Sequence, residues 1–283
     1  MALPELVPIT DAELPQFCEF LHRHLDPGKP PGSFQHALQQ RWGMEPPNHG
    51  FLIRDGEGLV GGIGAIYAER ELAGRRQRFC NITSWCVLEP FRSQSMRLLM
   101  ALVSQPGFHF TNFTPTAVVA KSLQFLKFEP LDSDRAVLPN TPLANPAVRV
   151  ESDAAVVAQV LPAAARRLFD DHRRLPWLQQ VAVGRTGAFC LVVFKRKRLK
   201  GLPSAEIIAV SDRALFTRYH RAFGRHVLLR HGMVTTRIET RLLTGRPAFA
   251  RVLSGYRPKM FRSDSLAAAD IDNLYSELVA LDL

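Results

Sequence analysis

A β-type run, Phe79-Cys80-Asn81-Ile82-Thr83-Ser84-Trp85-Cys86-Val87-Leu88, stops at Glu89-Pro90. A short basic loop, Phe91-Arg92-Ser93-Gln94-Ser95, then opens into an amphipathic helix from Met96 to Val103. This order constrains the chain more than any other feature. A strand that hands a loop to a helix N-terminus belongs to an α/β architecture. The first amides of such a helix are unpaired and its dipole is positive there, so the junction is an anion-binding device. A second run (Phe108 to Phe113), a second helix from Thr116 and the ending Phe125-Leu126-Lys127-Phe128 follow.

Upstream, residues 5 to 9 are apolar and extended. Leu14, Phe17, Cys18, Leu21 and Leu25 then recur at helical spacing until Asp26-Pro27-Gly28 breaks the pattern. Phe34 to Trp42 reads as a second helix. Gly50–Arg54 and Leu59–Tyr67 read as paired strands around the turn signal Asp55-Gly56-Glu57-Gly58. Glu69 to Gln77 is expected to be a polar loop. The resulting order is β-α-α-β-β-β-α-β-α. The Pro-, Asp- and Asn-rich stretch from Leu131 to Ala147 is expected to link two halves.

The second half begins again. Asp153 to Asp171 is helical in pattern. Gln180–Gly184 and Ala188–Phe194 are strand-like, Lys195 to Lys200 is a basic loop, and Ala205–Val210 is a further strand. A helix from Arg213 to Arg230 follows, with Ser211 or Asp212 as its N-cap, and then a strand from Val234 to Leu243. The expected domains are therefore 1–135, a linker at 136–147, and 148–283.

The order around Arg92 resembles the cofactor-binding core of the GNAT superfamily, the Gcn5-related acyl-CoA N-acyltransferases. The phosphate loop of that family reads Arg/Gln-x-x-Gly-x-Gly/Ala after a Val-x-Pro-type strand end. Val87-Leu88-Glu89-Pro90-Phe91-Arg92 is similar to that strand end, with Glu and Pro in swapped order. Arg92 takes the first motif position, while Ser95 and Arg97 stand where small residues are usual. Serine keeps the loop compact and adds a hydroxyl. Arg97 either points away or adds a charge contact to a phosphate. The resemblance implies an α/β fold with a mixed α+β sheet, in two tandem copies, the second degenerate. It implies acetyl-CoA or another acyl-CoA as donor, held by Trp85, Val87, Arg92, Ser93, Gln94, Ser95, Met96 and Arg97. The pantetheine amides would pair with an open strand edge.

The second family element ends in Gly-Phe, with a Tyr four residues before the Gly that protonates the leaving thiolate. Thr114 to Phe128 resembles this element, but Lys127 replaces the Gly and Leu123 stands in the place of the Tyr. Ser122 or an ordered water is then the remaining donor. The strand before the loop offers Asn81, Thr83, Ser84 and Trp85 but no carboxylate. Glu69 or Glu71, in the preceding loop, is the candidate base, and the candidate catalytic set is Glu69, Asn81, Ser84 and Ser122. Positioning alone also accelerates acyl transfer from a thioester. Three readings stay open: an acyltransferase acting on an amine or hydroxyl of a small-molecule or sugar acceptor, a catalytically inactive relative that binds a ligand or protein partner, and a nucleic-acid-binding protein.

The third reading rests on charge. Up to Asn140 there are 13 Lys+Arg against 14 Asp+Glu, and from Thr141 onward 23 against 12, so the net charge of +10 sits in the second half. That asymmetry suits an anionic partner. The run Lys195-Arg196-Lys197-Arg198 lacks interleaved aromatics, which argues against nucleic acid. The helix from Arg213 carries Leu215, Tyr219, Phe223 and Val227 on one face and Arg218, Arg221 and Arg225 on another. The nine histidines show no metal-ligand spacing, and Gly61-Gly62-Ile63-Gly64 is not a dinucleotide fingerprint because no helix opens from it. Four scattered cysteines argue against zinc and disulfides, and Cys80 and Cys86 are expected to share a strand face. No apolar run is long enough to span a bilayer and no signal pattern opens the sequence. The expected protein is therefore soluble and cytoplasmic, needs no metal, and forms a homodimer or works alone.

Overall fold

The computed structural model describes residues 3–56, 58–72, 74–255 and 258–282. Glu57, the third residue of the expected hairpin turn, lies outside that set, as do Met1, Ala2, Ala73, Tyr256, Arg257 and Leu283. The chain divides into two compact units. One runs to Leu131 and takes up Pro258–Ile271 and the segment from Tyr275. The other holds residues from Asp132 to the mid-250s together with Asp272–Leu274.

The first unit opens with β1 (Glu5–Pro8), α1 (Leu14–His24) and α2 (Pro31–Leu38), followed by β2 (Gly50–Asp55), β3 (Gly58–Leu72) and β4 (Arg75–Val87). A 3-10 turn (Glu89–Gln94) leads into α3 (Ser95–Val103), then β5 (His109–Asn112), α4 (Ala117–Phe125) and β6 (Glu129–Leu131). The helical spacing read in α1 holds for Leu14, Phe17, Cys18 and Leu21, all buried, while Leu25 is the C-cap and is exposed. The expected polar loop from Glu69 to Gln77 is instead the far end of a long hairpin, with Glu69 opposite Arg78 and Leu72 opposite Arg75. Alternating Glu and Arg across neighbouring strands pair favourably, so a polar composition does not prevent a ladder.

The second unit contains β7 (Arg135–Pro139), β8 (Arg149–Glu151), α5 (Ala154–Val160), α6 (Ala163–His172), β9 (Gln179–Arg185), β10 (Ala188–Leu199), β11 (Leu202–Val210), α7 (Arg213–His231), β12 (Thr235–Glu239) and β13 (Arg251–Leu253). The expected single helix from Asp153 to Asp171 is two, because Pro162 breaks it and Leu161 before it is extended. The basic stretch from Lys195 is not a loop. Lys195 to Leu199 pairs with Glu206 to Leu202, and the turn at Lys200 and Gly201 has positive φ at both residues, as two-residue hairpins require. Asp212 caps α7 by accepting from the Leu215 amide, and Gly232 ends it in the left-handed conformation.

Two further elements close the chain: β14 (Lys259–Arg262) and α8 (Glu277–Ala280). Both belong to the first unit. The first sheet has the order β1-β2-β3-β4-β5-β14-β6, and the second has β8-β9-β10-β11-β12-β7-β13. In each, the central pair, β4–β5 or β11–β12, is parallel and the rest are antiparallel. The two sheets thus share one plan. The sixth position of the first is filled by residues 259–262, and that of the second by residues 135–139. The stretch read as a linker therefore contains a strand, with Ala136 and Leu138 buried in the second core. Its alternation spans too few residues to stand out against the Pro, Asp and Asn around it.

The first core lies under β2–β5 and is built from Ile63, Tyr67, Cys80, Ile82, Leu98, Leu102 and Phe110. The second gathers Val183, Val192, Phe194, Phe216, Phe223 and Ile238, with the rings of Phe194 and Phe216 edge-on to Phe223.

Candidate functional site

The parallel pairing of β4 with β5 is short. Phe79, Cys80 and Asn81 face His109, Phe110 and Thr111, and there the ladder ends. β4 continues for six more residues, still paired with β3 on its other side. A fork opens between the two strands, and the edge of β4 from Ile82 to Val87 is left without a strand partner on that side among the described residues. An edge of unpaired amides and carbonyls is a template for one more extended chain.

A bulge lies within this edge. The register with β3 shifts between Gly62 and Gly64, and Ser84 has φ 48°. An extra residue in one strand reverses the alternation beyond it. Cys80 and Ile82 face the first core, and past the bulge Trp85 and Val87 do so instead. Cys86 is thus turned away from Cys80, which corrects the expected shared face. Burial pushes the thiol of Cys86 upward and that of Cys80 beyond it, so neither is a nucleophile at neutral pH. From Ser84 to Leu88 the strand is half-exposed, as an accessible edge must be.

At the head of the edge the phosphate-loop candidates lie along the 3-10 turn. Pro90 sits in its first turn, the Phe91 amide donates to the Leu88 carbonyl, and the Ser95 amide donates to Arg92. The backbone winds directly into α3 rather than opening into a cradle. Arg92 is exposed and forms an ion pair with Glu89 at 2.9 Å. Arg97 donates to the Pro4 carbonyl (3.0 Å) and to the side chain of Gln94, the last residue of the turn (2.8 Å). Ser93 is exposed and Gln94, Ser95 and Met96 are half-buried, Met96 against the first core.

The crotch of the fork holds a residue that the sequence reading missed. Glu277, at the start of α8, is fully buried. Its Oε1 accepts from the Phe113 amide (2.8 Å) and the Thr114 hydroxyl (3.0 Å), the first groups beyond β5. Its own amide donates to Asn81 Oδ1 at 2.9 Å. Asn81, the last paired residue of β4, also donates to the Thr111 hydroxyl at 3.0 Å. Glu277 Oε2 is buried with no hydrogen-bond partner. Burial raises the pKa of this carboxyl, against lowering by the Phe113 amide and the neighbouring Asn81 and Thr114 side chains. The only sequence signal is a lone acid in the apolar segment Leu274-Tyr275-Ser276-Glu277-Leu278-Val279. Nothing local ties it to a strand fork formed far earlier in the chain.

The other candidates are not gathered here. Glu69 lies on β3, three positions along from the residue opposite Asn81, hence on the other sheet face, and is 3.4 Å from Arg76. Ser122 donates back to Val118 on its own helix. Leu123 is buried in the core, so no phenol occupies the place of the missing Tyr. Tyr67 is engaged with Asn48 and Gln105, and its phenol is pushed up by burial.

The corresponding fork of the second sheet starts at Glu206 opposite Arg237. Glu206 pairs with Arg135 (2.6 Å) and Arg237 (3.4 Å). Asn273 donates to the Ile208 carbonyl at 2.9 Å, on the edge that would have to be open. Side chains fill this fork. No helix among the described residues is long and apolar enough to cross a membrane.

No known family model and no curated sequence matches the chain. Solved structures do. The chain is similar to a GCN5-related N-acetyltransferase from Anabaena variabilis, at 12% identity and TM-score 0.59 over 92% of this chain and 72% of that one. It is similar to Eis1 from Mycobacterium abscessus, at 12% identity and TM-score 0.52 over 92% and 73%. A GCN5-related N-acetyltransferase from Kribbella flavida matches at 14% identity and TM-score 0.52 over 92% and 70%. The fold is that of the acyl-CoA N-acyltransferases, with two sheets of the same plan.

Proposed function

We propose that this GNAT-fold chain is an acyl-CoA-dependent acyltransferase, moving an acetyl or longer acyl group to the amine or hydroxyl of a small-molecule acceptor at the fork of the first sheet. One observation carries the reading: β4 outruns β5 by six residues, bulges at Ser84 and leaves the edge to Val87 open. A pantetheine arm has two amides in an extended chain and fits such an edge as an added strand. Trp85 and Val87 flank the arm, and Arg92, Ser93 and Gln94 stand at the phosphate end.

The thioester carbonyl then comes to the crotch, beside Glu277. Its free Oε2 takes the proton of the acceptor as the nitrogen or oxygen attacks the carbonyl carbon. The tetrahedral adduct collapses with cleavage of the C–S bond; the thiolate takes its proton from solvent, and Glu277 returns the acceptor's proton to solvent when product leaves. A carboxylate with a raised pKa is a stronger base than an ordinary one. Asn81 acts by holding α8 in register, so it positions the base without touching substrate.

A second reading keeps a specific observation: the 3-10 turn and the Glu89–Arg92 pair weaken the phosphate site, which suits a ligand-binding relative without turnover. Hydrogen exchange during titration with acetyl-CoA and a long-chain acyl-CoA separates the readings. Acyl-CoA binding should protect the amides of Ile82–Val87. Release of free CoA thiol with an amine acceptor panel should accompany it, and Glu277→Gln should lower kcat by about 10²–10⁴-fold. Protection without thiol release favours the inactive reading, and absence of protection at saturating acyl-CoA refutes the acyltransferase reading and leaves a relative that binds another ligand or a protein partner.

A further inference from the structure

The second unit carries a surface that the proposed chemistry does not use. α7 spans 19 residues and is the longest helix described. Phe216, Phe223 and Val227 bury its inner face. Beside its outer face runs the segment leading into β8, and two adjoining cavities lie between them. One of about 470 Å³ has a floor of Ala144, Val148, Val150 and Ala222, with Arg225 and Arg230 at its rim. The other, of about 380 Å³, shares Ala144, Val148 and Ala222 and is walled by Arg185, Arg218 and Arg221. The shared residues make the two cavities one continuous groove.

The groove has an apolar floor, arginine walls and no carboxylate among its lining residues. None of the five guanidinium groups forms an ion pair among the described residues. The acids of this unit are engaged elsewhere: Glu206 by Arg135 and Arg237, Glu239 by Arg241, Glu151 by Arg149, and Asp170 by Arg166 and Arg173. Asp212 caps α7. Like charges crowded on one helix face repel one another and destabilise it. Leu229 and Leu143, at the two ends of the groove, are 62% and 78% exposed.

We infer that this groove docks an acidic amphipathic helix of a partner protein. Arg218, Arg221 and Arg225 follow the i, i+3, i+7 spacing of one helical stripe. From Arg218 to Arg230 the groove runs about 18 Å at 1.5 Å per residue, the length of three to four turns of a facing helix. Acidic side chains at helical spacing meet the arginine walls, and the apolar stripe of that helix covers the alanine and valine floor between Leu143 and Leu229. A single small anion leaves most of the five charges uncompensated. Single-stranded nucleic acid needs open aromatic faces for stacking, but the Tyr219 ring already lies under Arg185 and Arg218, at 5.8 and 5.5 Å. A flat membrane surface cannot follow a concave floor.

The test is fluorescence anisotropy on the full chain with a labelled, stapled helical peptide bearing glutamates on one face and leucines on the other. Its lysine-for-glutamate counterpart, a single-stranded oligothymidylate and phosphatidylserine vesicles are run alongside. The acidic helix should bind in a salt-dependent way. Arg221→Glu with Arg225→Glu should weaken it by about tenfold or more, and Leu229→Ser should weaken it without changing the salt slope. Both variants alter exposed side chains, and circular dichroism checks that they fold. Absence of peptide binding at low salt overturns the inference. So does tighter binding of the oligonucleotide or the vesicles with the same dependence on Arg221 and Arg225.

Discussion

Lys127 holds a backbone conformation that suits glycine. Its φ is 63°, and it closes α4 with Phe128 donating back to Leu123. Left-handed geometry costs a residue with a Cβ about 1–2 kcal/mol. Lys127→Gly should therefore stabilise the protein by about 1 kcal/mol, read as a higher denaturation midpoint at unchanged m. Glu277 shows the opposite relation, in which the side chain is strained rather than the backbone. Burial holds its folded pKa above the ordinary glutamate value of 4.5, so between those two pH values the native state binds more protons than the unfolded one. Stability from this group falls as pH rises through that window. Glu277→Gln keeps the acceptor for Phe113 and Thr114 and removes the buried charge. Its melting temperature should exceed that of the wild type near neutral pH by a few degrees, and the gap should close as pH falls to about 4.5. A variant that gains stability while losing turnover would mark Glu277 as a functional group rather than a structural one.

At the scale of elements, the 3-10 turn is where the proposed reading puts the phosphates of an acyl-CoA. Glu89 and Arg92 face each other three residues apart, and both are exposed. Such a pair is worth little to stability, but it neutralises the cation nearest the proposed phosphate end. Glu89→Gln should tighten acyl-CoA binding by about two- to fivefold in a titration at low salt, and Arg92→Ala should weaken it by no more than about tenfold. An unchanged affinity in Glu89→Gln would place the phosphates away from this turn. The strand, turn and helix were readable because alternation, Pro90 and the apolar spacing of α3 are local signals. The bulge at Ser84 was not, since nothing in Thr83-Ser84-Trp85 marks an extra residue until β3 supplies the register.

At the scale of the molecule, each sheet needs a strand that is remote in sequence from most of its neighbours. β14 lies between β5 and β6, pairing Phe261 with Thr111 on one side and with Glu129 on the other. A fragment of residues 1–135 has the expected first-domain sequence but lacks this strand, and it also lacks Glu277. It exposes two strand edges and should aggregate or fail to unfold cooperatively, whereas the full chain should show cooperative melting. Cooperative folding of that fragment would show that β14 is dispensable.

The sequence by itself determined the α/β class, the strand–turn–helix order from Phe79 to Val103, an N-cap at Ser211 or Asp212 and the concentration of positive charge after Thr141. These follow from periodicity, turn chemistry and composition, which act over a few residues or sum over many. Only the tertiary structure decided which strand fills the sixth place of each sheet, which face Cys86 and Glu69 occupy, and that a carboxylate from α8 reaches the crotch of a fork formed by Asn81 and Phe113. Strand pairing and burial are long-range. A short strand gains its partners from hydrogen bonds and apolar contact that no local pattern encodes, and a buried acid is set by the cavity that closes around it.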